Sequence, residues 1–141
     1  FFSEFLHMAN PANSSSDQPW GKLTAFSTVL DNETLIKKKI TLGRRSTNDI
    51  AILDARLSGE HCLFFLNDEG ECFIEDLSSN GTFIEDKKIG KGNKHKLTSG
   101  DKIYLLHHSK VKPDEIMGYV FCALNEGVNE LKRQRELDEK A

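Results

Sequence analysis

No apolar run in this 141-residue sequence approaches the ~20 residues of a membrane-spanning helix, and no basic start leads through an apolar stretch to a small-residue cleavage site. Neither a membrane span nor a secretory leader is expected. Cysteine is scarce: Cys62, Cys72 and Cys122 are an odd number, lie in strand-like segments, and include no Cys-x-x-Cys pair or nearby His at ligand spacing. They are expected to be reduced core residues, and an intracellular, reducing compartment follows. Positive charge is not in excess either, since 19 basic residues face 22 acidic ones for a net charge of −3. That balance argues against general binding to nucleic acid or an anionic membrane, both of which need a global positive field. An anion recognised locally needs only a local one. Internal repeats are missing too. The length suits one domain with its own core and short tails, without room for a kinase or RING domain in addition, so any catalysis of a longer parent protein is expected elsewhere.

What the sequence does have is short apolar or alternating runs bounded by turn residues, at 22–29, 35–37, 39–42, 50–53, 62–66, 72–76, 82–84, 102–106 and 119–124. Asn67-Asp68-Glu69-Gly70 is the plainest hairpin signal between two of them. Many short strands with turns every ten or so residues predict an all-β sandwich. Three segments follow: 1–18 as a flexible arm, linker or residues foreign to the native chain, 19–125 as the domain, and 126–141 as a charged helical extension leading toward a further domain.

Three polar loops interrupt the strand pattern. Gly43-Arg44, Ser58-Gly59-Glu60-His61 and Asp76-Leu77-Ser78-Ser79-Asn80-Gly81-Thr82 can converge at one end of a sandwich. Together they supply one guanidinium fork, several hydroxyl donors and a carboxamide, the inventory of a phosphate-binding site. A catalytic reading of Ser58 and His61 with Asp54 or Asp76 lacks a Gly-x-Ser-x-Gly elbow, and triad geometry is not visible in a sequence. Gly90-Lys91-Gly92 lacks the ending of a phosphate-cradling loop and is read as a turn. His107-His108 could chelate a metal only with partners that the sequence does not show, and is read as part of a solvated loop before Pro113. Arg45, next to Arg44 on an extended backbone, is expected to point the other way.

The order Gly43-Arg44, Ser58-x-x-His61, the Asp76 to Thr82 block and Leu97-Thr98-Ser99-Gly100-Asp101 resembles the forkhead-associated (FHA) domain family over roughly Trp20 to Leu124. The resemblance implies a β-sandwich of two antiparallel-type sheets with ten to eleven strands and a short C-terminal helix. It also implies a phosphothreonine-peptide binding module, not an enzyme, that needs no cofactor, metal or nucleotide. Arg44 becomes the main phosphate ligand, Ser58 and Ser79 further phosphate contacts, and Asn80 the residue that holds the peptide main chain. Gly59 departs from the Asn or Lys of many relatives, leaving only its backbone N–H. Gly43, His61, Asp76, Gly81 and Thr82 become structural supports. Pro19-Trp20-Gly21-Lys22-Leu23 and Ile89-Gly90-Lys91-Gly92 resemble checkpoint effector kinases, in which the position of Arg56 selects the residue three after the phosphothreonine; a guanidinium there favours an acidic one. Leu57 to Cys62 and Asp101 to Leu105 resemble checkpoint ubiquitin ligases with a RING finger. The kinase likeness implies a nuclear role in checkpoint and DNA-damage signalling, with docking to phosphorylated partners or a phosphorylated copy of the parent; the ligase likeness, the alternative, implies a module that recruits ubiquitination targets.

Overall fold

A computed structural model describes residues 18–124, so the reading of 1–18 as an arm or linker, all but Gln18, and that of 126–141 as a helical extension lie outside the described residues. Eleven strands run in chain order as β1 Gly21–Ala25, β2 Glu33–Leu35, β3 Lys39–Gly43, β4 Ile50–Ala51, β5 Cys62–Leu66, β6 Cys72–Asp76, β7 Phe83–Ile84, β8 Lys87–Lys88, β9 Lys94–Lys96, β10 Lys102–Tyr104 and β11 Gly118–Ala123. They form two sheets, ordered β2-β1-β11-β10-β7-β8 and β4-β3-β5-β6-β9. The expected sandwich is what forms, with one departure from antiparallel pairing: β3 and β4 run parallel, Leu42 opposite Ile50. The described helical pieces are two single 3₁₀ turns, His108–Lys110 and Pro113–Glu115.

Alternation explains which face of each strand is buried. In β5 and β6, Phe64 pairs with Ile74 and both are wholly enclosed, while Phe65 and Phe73 pair on the outer face and stack with centroids 5.3 Å apart. Leu23, Leu35, Leu42, Ile103, Leu105 and Phe121 complete the inter-sheet core. Burying each such side chain stabilises the fold by about 1.5 to 3 kcal/mol, and emptying a Phe position costs about 3 to 5 kcal/mol. The same alternation corrects the reading of the cysteines. Cys62 and Cys72 are buried, but Cys122 follows the inward Phe121 on β11 and is exposed.

Strand limits differ where side chains compete for the backbone. β1 stops at Ala25, not residue 29, because the Asn32 carboxamide oxygen takes the Ala25 N–H at 2.8 Å and the chain turns through Ser27 to Leu30. β2 correspondingly lies two residues early. β8 and β9, unanticipated, are short lysine-bearing edge strands whose pattern carries no apolar alternation.

Both sheets turn the same end toward the polar loops. Gly43, Cys62 and Asp76 are the neighbouring strand ends of one sheet, and Phe83, Tyr104, Gly118 and Ala25 those of the other. Trp20 and Leu124 meet at the opposite end, where the Leu124 N–H donates to the Trp20 carbonyl at 3.0 Å.

Candidate functional site

The loop after β3 and the loop before β5 are laced together by backbone bonds. Arg44 N–H donates to Ser58 O at 2.9 Å and Arg45 N–H to Gly59 O at 3.1 Å. Glycine at position 43 is required by this approach: a Cβ there would lie 2.3 Å from Gly59 O and 2.9 Å from Glu60 Cα. Buried Asn48 closes the same corner, its amide nitrogen donating to Arg45 O at 2.9 Å and Gly59 O at 2.7 Å. Sequence reasoning passed over Asn48; its one signal was an amide in the turn between two apolar strands.

Two buried polar side chains shape the loops from behind. His61 is fully enclosed, accepting the Ser58 N–H at Nδ1 (3.1 Å) and facing Gly81 O with Nε2 at 3.2 Å. With Nδ1 an acceptor, the proton sits on Nε2 and is donated to Gly81 O. Burial pushes the ring's pKa down, so it is neutral while performing both bonds. Asp76 is equally enclosed and gathers five donors: Ser78 N–H, Ser78 Oγ, Thr82 Oγ1, Thr82 N–H and Gly90 N–H, at 2.6 to 3.2 Å. Burial alone would raise this carboxyl, but the bonds from Ser78 and Thr82 outweigh it and hold the pKa below the ordinary aspartate value. Ser78 passes the order on by accepting the Gly81 N–H at 2.8 Å, and Gly81 itself adopts φ 117°, a conformation open to glycine.

Above these supports lie the exposed groups. Arg44 is exposed; its Nε donates to Leu57 O at 3.1 Å, which fixes the stem and leaves the Nη pair as a fork. Ser58 Oγ accepts the Ser79 N–H at 2.9 Å, so its own hydroxyl proton is available to a ligand. Ser79 and Asn80 are both exposed on the adjoining loop. The structure therefore brings Arg44, Ser58, Gly59, Ser79 and Asn80 to one end of the sandwich. Arg45 does not point away: a Cβ on Gly59 would meet its Nε at 2.8 Å, because the backbone at 44–45 bends and strand alternation no longer applies.

Arg56 makes a forked bond to Asp54, Nε to Oδ1 at 2.9 Å and Nη2 to Oδ2 at 2.7 Å, and this bonding holds the Asp54 carboxyl down to about 2. The same guanidinium lines a cavity of about 270 Å³ with Asn80, Phe83, Leu106 and Lys110. Arg56 also lines a larger cleft of about 640 Å³, but there it faces five carboxylates, Asp31, Glu33, Asp49, Asp54 and Glu115, which together would repel an anion. No helix among the described residues is long and apolar enough to cross a membrane.

Comparison with known proteins places these features in context. The FHA domain family matches residues 40–106. The chain is 37% identical over 123 residues to the E3 ubiquitin-protein ligase CHFR of Xenopus laevis, a match covering 81% of this chain and 19% of that protein. It is 31% identical over 121 residues to the probable serine/threonine-protein kinase fhkE of Dictyostelium discoideum, covering 82% of this chain and 17% of that protein. It thus spans less than a fifth of the length of these relatives. Among solved structures, the N-terminal FHA domain of Rad53p from S. cerevisiae, in complex with a phosphothreonine peptide, shares the fold with a TM-score of 0.67 at 24% identity, over 76% of this chain and 95% of that one.

Proposed function

This chain belongs to the forkhead-associated domain family, and we propose that its loop end binds a phosphothreonine peptide and so docks the parent protein onto phosphorylated partners or a phosphorylated copy of itself. The observation that carries the proposal is the convergence of the Arg44 fork, the Ser58 hydroxyl, Ser79 and Asn80 on loops that buried His61 and Asp76 hold in place. A phosphothreonine carries about −1.5 to −2 charges. Arg44 takes two of its oxygens bidentately, Ser58 and Ser79 donate to the others, and both ends of the Asn80 amide pair with the peptide backbone. Catalysis lies outside this domain.

Two kinds of parent protein fit such a module. A checkpoint serine/threonine kinase of the nucleus, supported by the 31% identity to fhkE, would use reciprocal docking to raise the local concentration of one kinase near another. A checkpoint ubiquitin ligase, supported by the higher 37% identity to CHFR, would use the same module to choose its targets.

Calorimetry with paired phosphorylated and unphosphorylated peptides tests the binding reading, using wild type, Arg44→Ala and Arg44→Lys. Charge-assisted hydrogen bonds contribute about 1.5 to 3 kcal/mol each, so losing the bidentate pair lowers affinity by about 100-fold or more. Arg44→Lys recovers little, because a point charge does not reproduce the fork. Equal affinity for both peptides, or an Arg44→Ala chain that binds normally, would refute the proposal; a thermal melt separates lost binding from lost fold.

A further inference from the structure

The vicinal histidines that the sequence left without partners acquire one in the fold. Asp86 sits in the tight turn between β7 and β8, where Glu85 takes the positive φ of 56°. His107 and His108 follow β10, which pairs with β7. The His108 Nε2 hydrogen-bonds Asp86 Oδ1, and His107 Nε2 lies 3.7 Å from the same oxygen. Ligand atoms of all three residues lie within 4.8 Å of one another, the one such group among the described residues.

From this geometry we infer that Asp86, His107 and His108 form a binding site for a single divalent transition-metal ion of the zinc class. Two imidazole nitrogens and one carboxylate oxygen suit zinc and its neighbours, whereas calcium and magnesium take all-oxygen sets. Ligands about 2.1 Å from one ion at a tetrahedral angle stand roughly 3.4 Å apart. Reaching that spacing asks Asp86, whose side chain is 78% exposed, to draw back from His108, and the two imidazoles to turn toward a common point.

Aromatic packing keeps both imidazoles beside Asp86. Phe83 and Tyr104 pair across β7 and β10 on one face of the sheet, and the His107 ring sits edge-on to Phe83 at 5.2 Å while His108 lies against Tyr104 at 5.4 Å. The two imidazoles stack at 4.5 Å with planes 24° apart, so one ring must turn out of the stack for both in-plane lone pairs to meet at one ion. His107 Nδ1 lies 2.7 Å from Ser109 Oγ and accepts the Ser109 N–H at 3.2 Å, so an ion taken at Nε2 moves the ring proton to Nδ1, where Ser109 Oγ can accept it. The fourth position belongs to water or to a partner's side chain. Because His107 also lines the cavity beside Asn80, the ion would tie the β7–β8 turn to that wall. The site stands independently of the phosphopeptide proposal.

The experiment is calorimetric titration of the full chain with zinc chloride, with nitrogen NMR of the imidazoles and thermal melts of each variant. Saturable binding of one ion per chain is expected, with His107 and His108 resonances shifting and magnesium in large excess failing to compete. Asp86→Ala and His108→Ala each weaken binding by about 10-fold or more, and Ser109→Ala weakens it less, while His95→Ala, which removes the histidine paired with Asp101, leaves it unchanged. Failure to saturate, or binding that survives the His107→Ala/His108→Ala double variant in a folded chain, would overturn the site.

Discussion

If Arg56 reads an acidic residue three positions after the phosphothreonine, it does so in competition with Asp54, and removing that competitor should strengthen the selection. Asp54 occupies the guanidinium through two hydrogen bonds, with side-chain exposures of 54% for Arg56 and 22% for Asp54. A pair this open to solvent is worth about 0.2 to 1 kcal/mol. Asp54→Asn returns that amount to the ligand's carboxylate, so the affinity ratio between peptides carrying Glu and Gln at the third position should rise about 1.4- to 5-fold. Arg56→Gln should bring the ratio near one, and the double variant should match Arg56→Gln. Fluorescence anisotropy with the two phosphopeptides measures this directly, and the gain should shrink in high salt, where the Debye length contracts to about 3 Å. Measurements belong at neutral pH. The Asp54 carboxyl is depressed in the fold, so its stabilising contribution is complete above its ordinary value of 3.8 and is lost as pH falls toward about 2. An unchanged ratio in Asp54→Asn, with the fold and the phosphate requirement intact, would refute Arg56 as the reader.

Gly43→Ala should destabilise the domain by about 1 to 3 kcal/mol in denaturant melts and weaken phosphopeptide binding with it, because the new methyl meets backbone atoms that must shift. His61 is buried neutral with its pKa lowered, so its contribution is complete above the unfolded value of about 6.5 and is lost as pH drops below it; a pH series of melts should show that slope and His61→Gln should lack it. Phosphothreonine should exceed phosphoserine by more than the roughly fourfold that one buried methyl of about 0.8 kcal/mol provides, since the branched side chain also loses less rotamer freedom; paired-peptide calorimetry reads the ratio.

Legibility from sequence followed the physics that each residue answers to. β5 and β6 were read to the residue because inward apolar side chains alternate on both sides of an Asn-to-Gly turn. β8 and β9 were missed because edge strands of lysine and histidine are held by ladder bonds and register, which leave no mark on an apolar pattern. The loop motifs pointed to residues that the fold gathers at one end, since Gly43, His61, Asp76 and Gly81 each answer a packing, hydrogen-bond or backbone demand there. The forked pairing of Arg56 with Asp54 emerges only in three dimensions. Asp86 is the opposite case: it lies more than twenty residues before His107, and only the register of β7 on β10 makes them neighbours.

Trp20 and Leu124 are hydrogen-bonded neighbours at the end of the sandwich remote from the reading loops. The domain can therefore be cut out and transplanted as a plug: spliced into a surface turn of another protein, it would close the host's chain over a gap of a few ångströms and leave its own loops facing outward. A host so modified would gain a socket for phosphorylated peptides without a linker having to span the module, and its two junctions would stay clear of whatever occupies the far end.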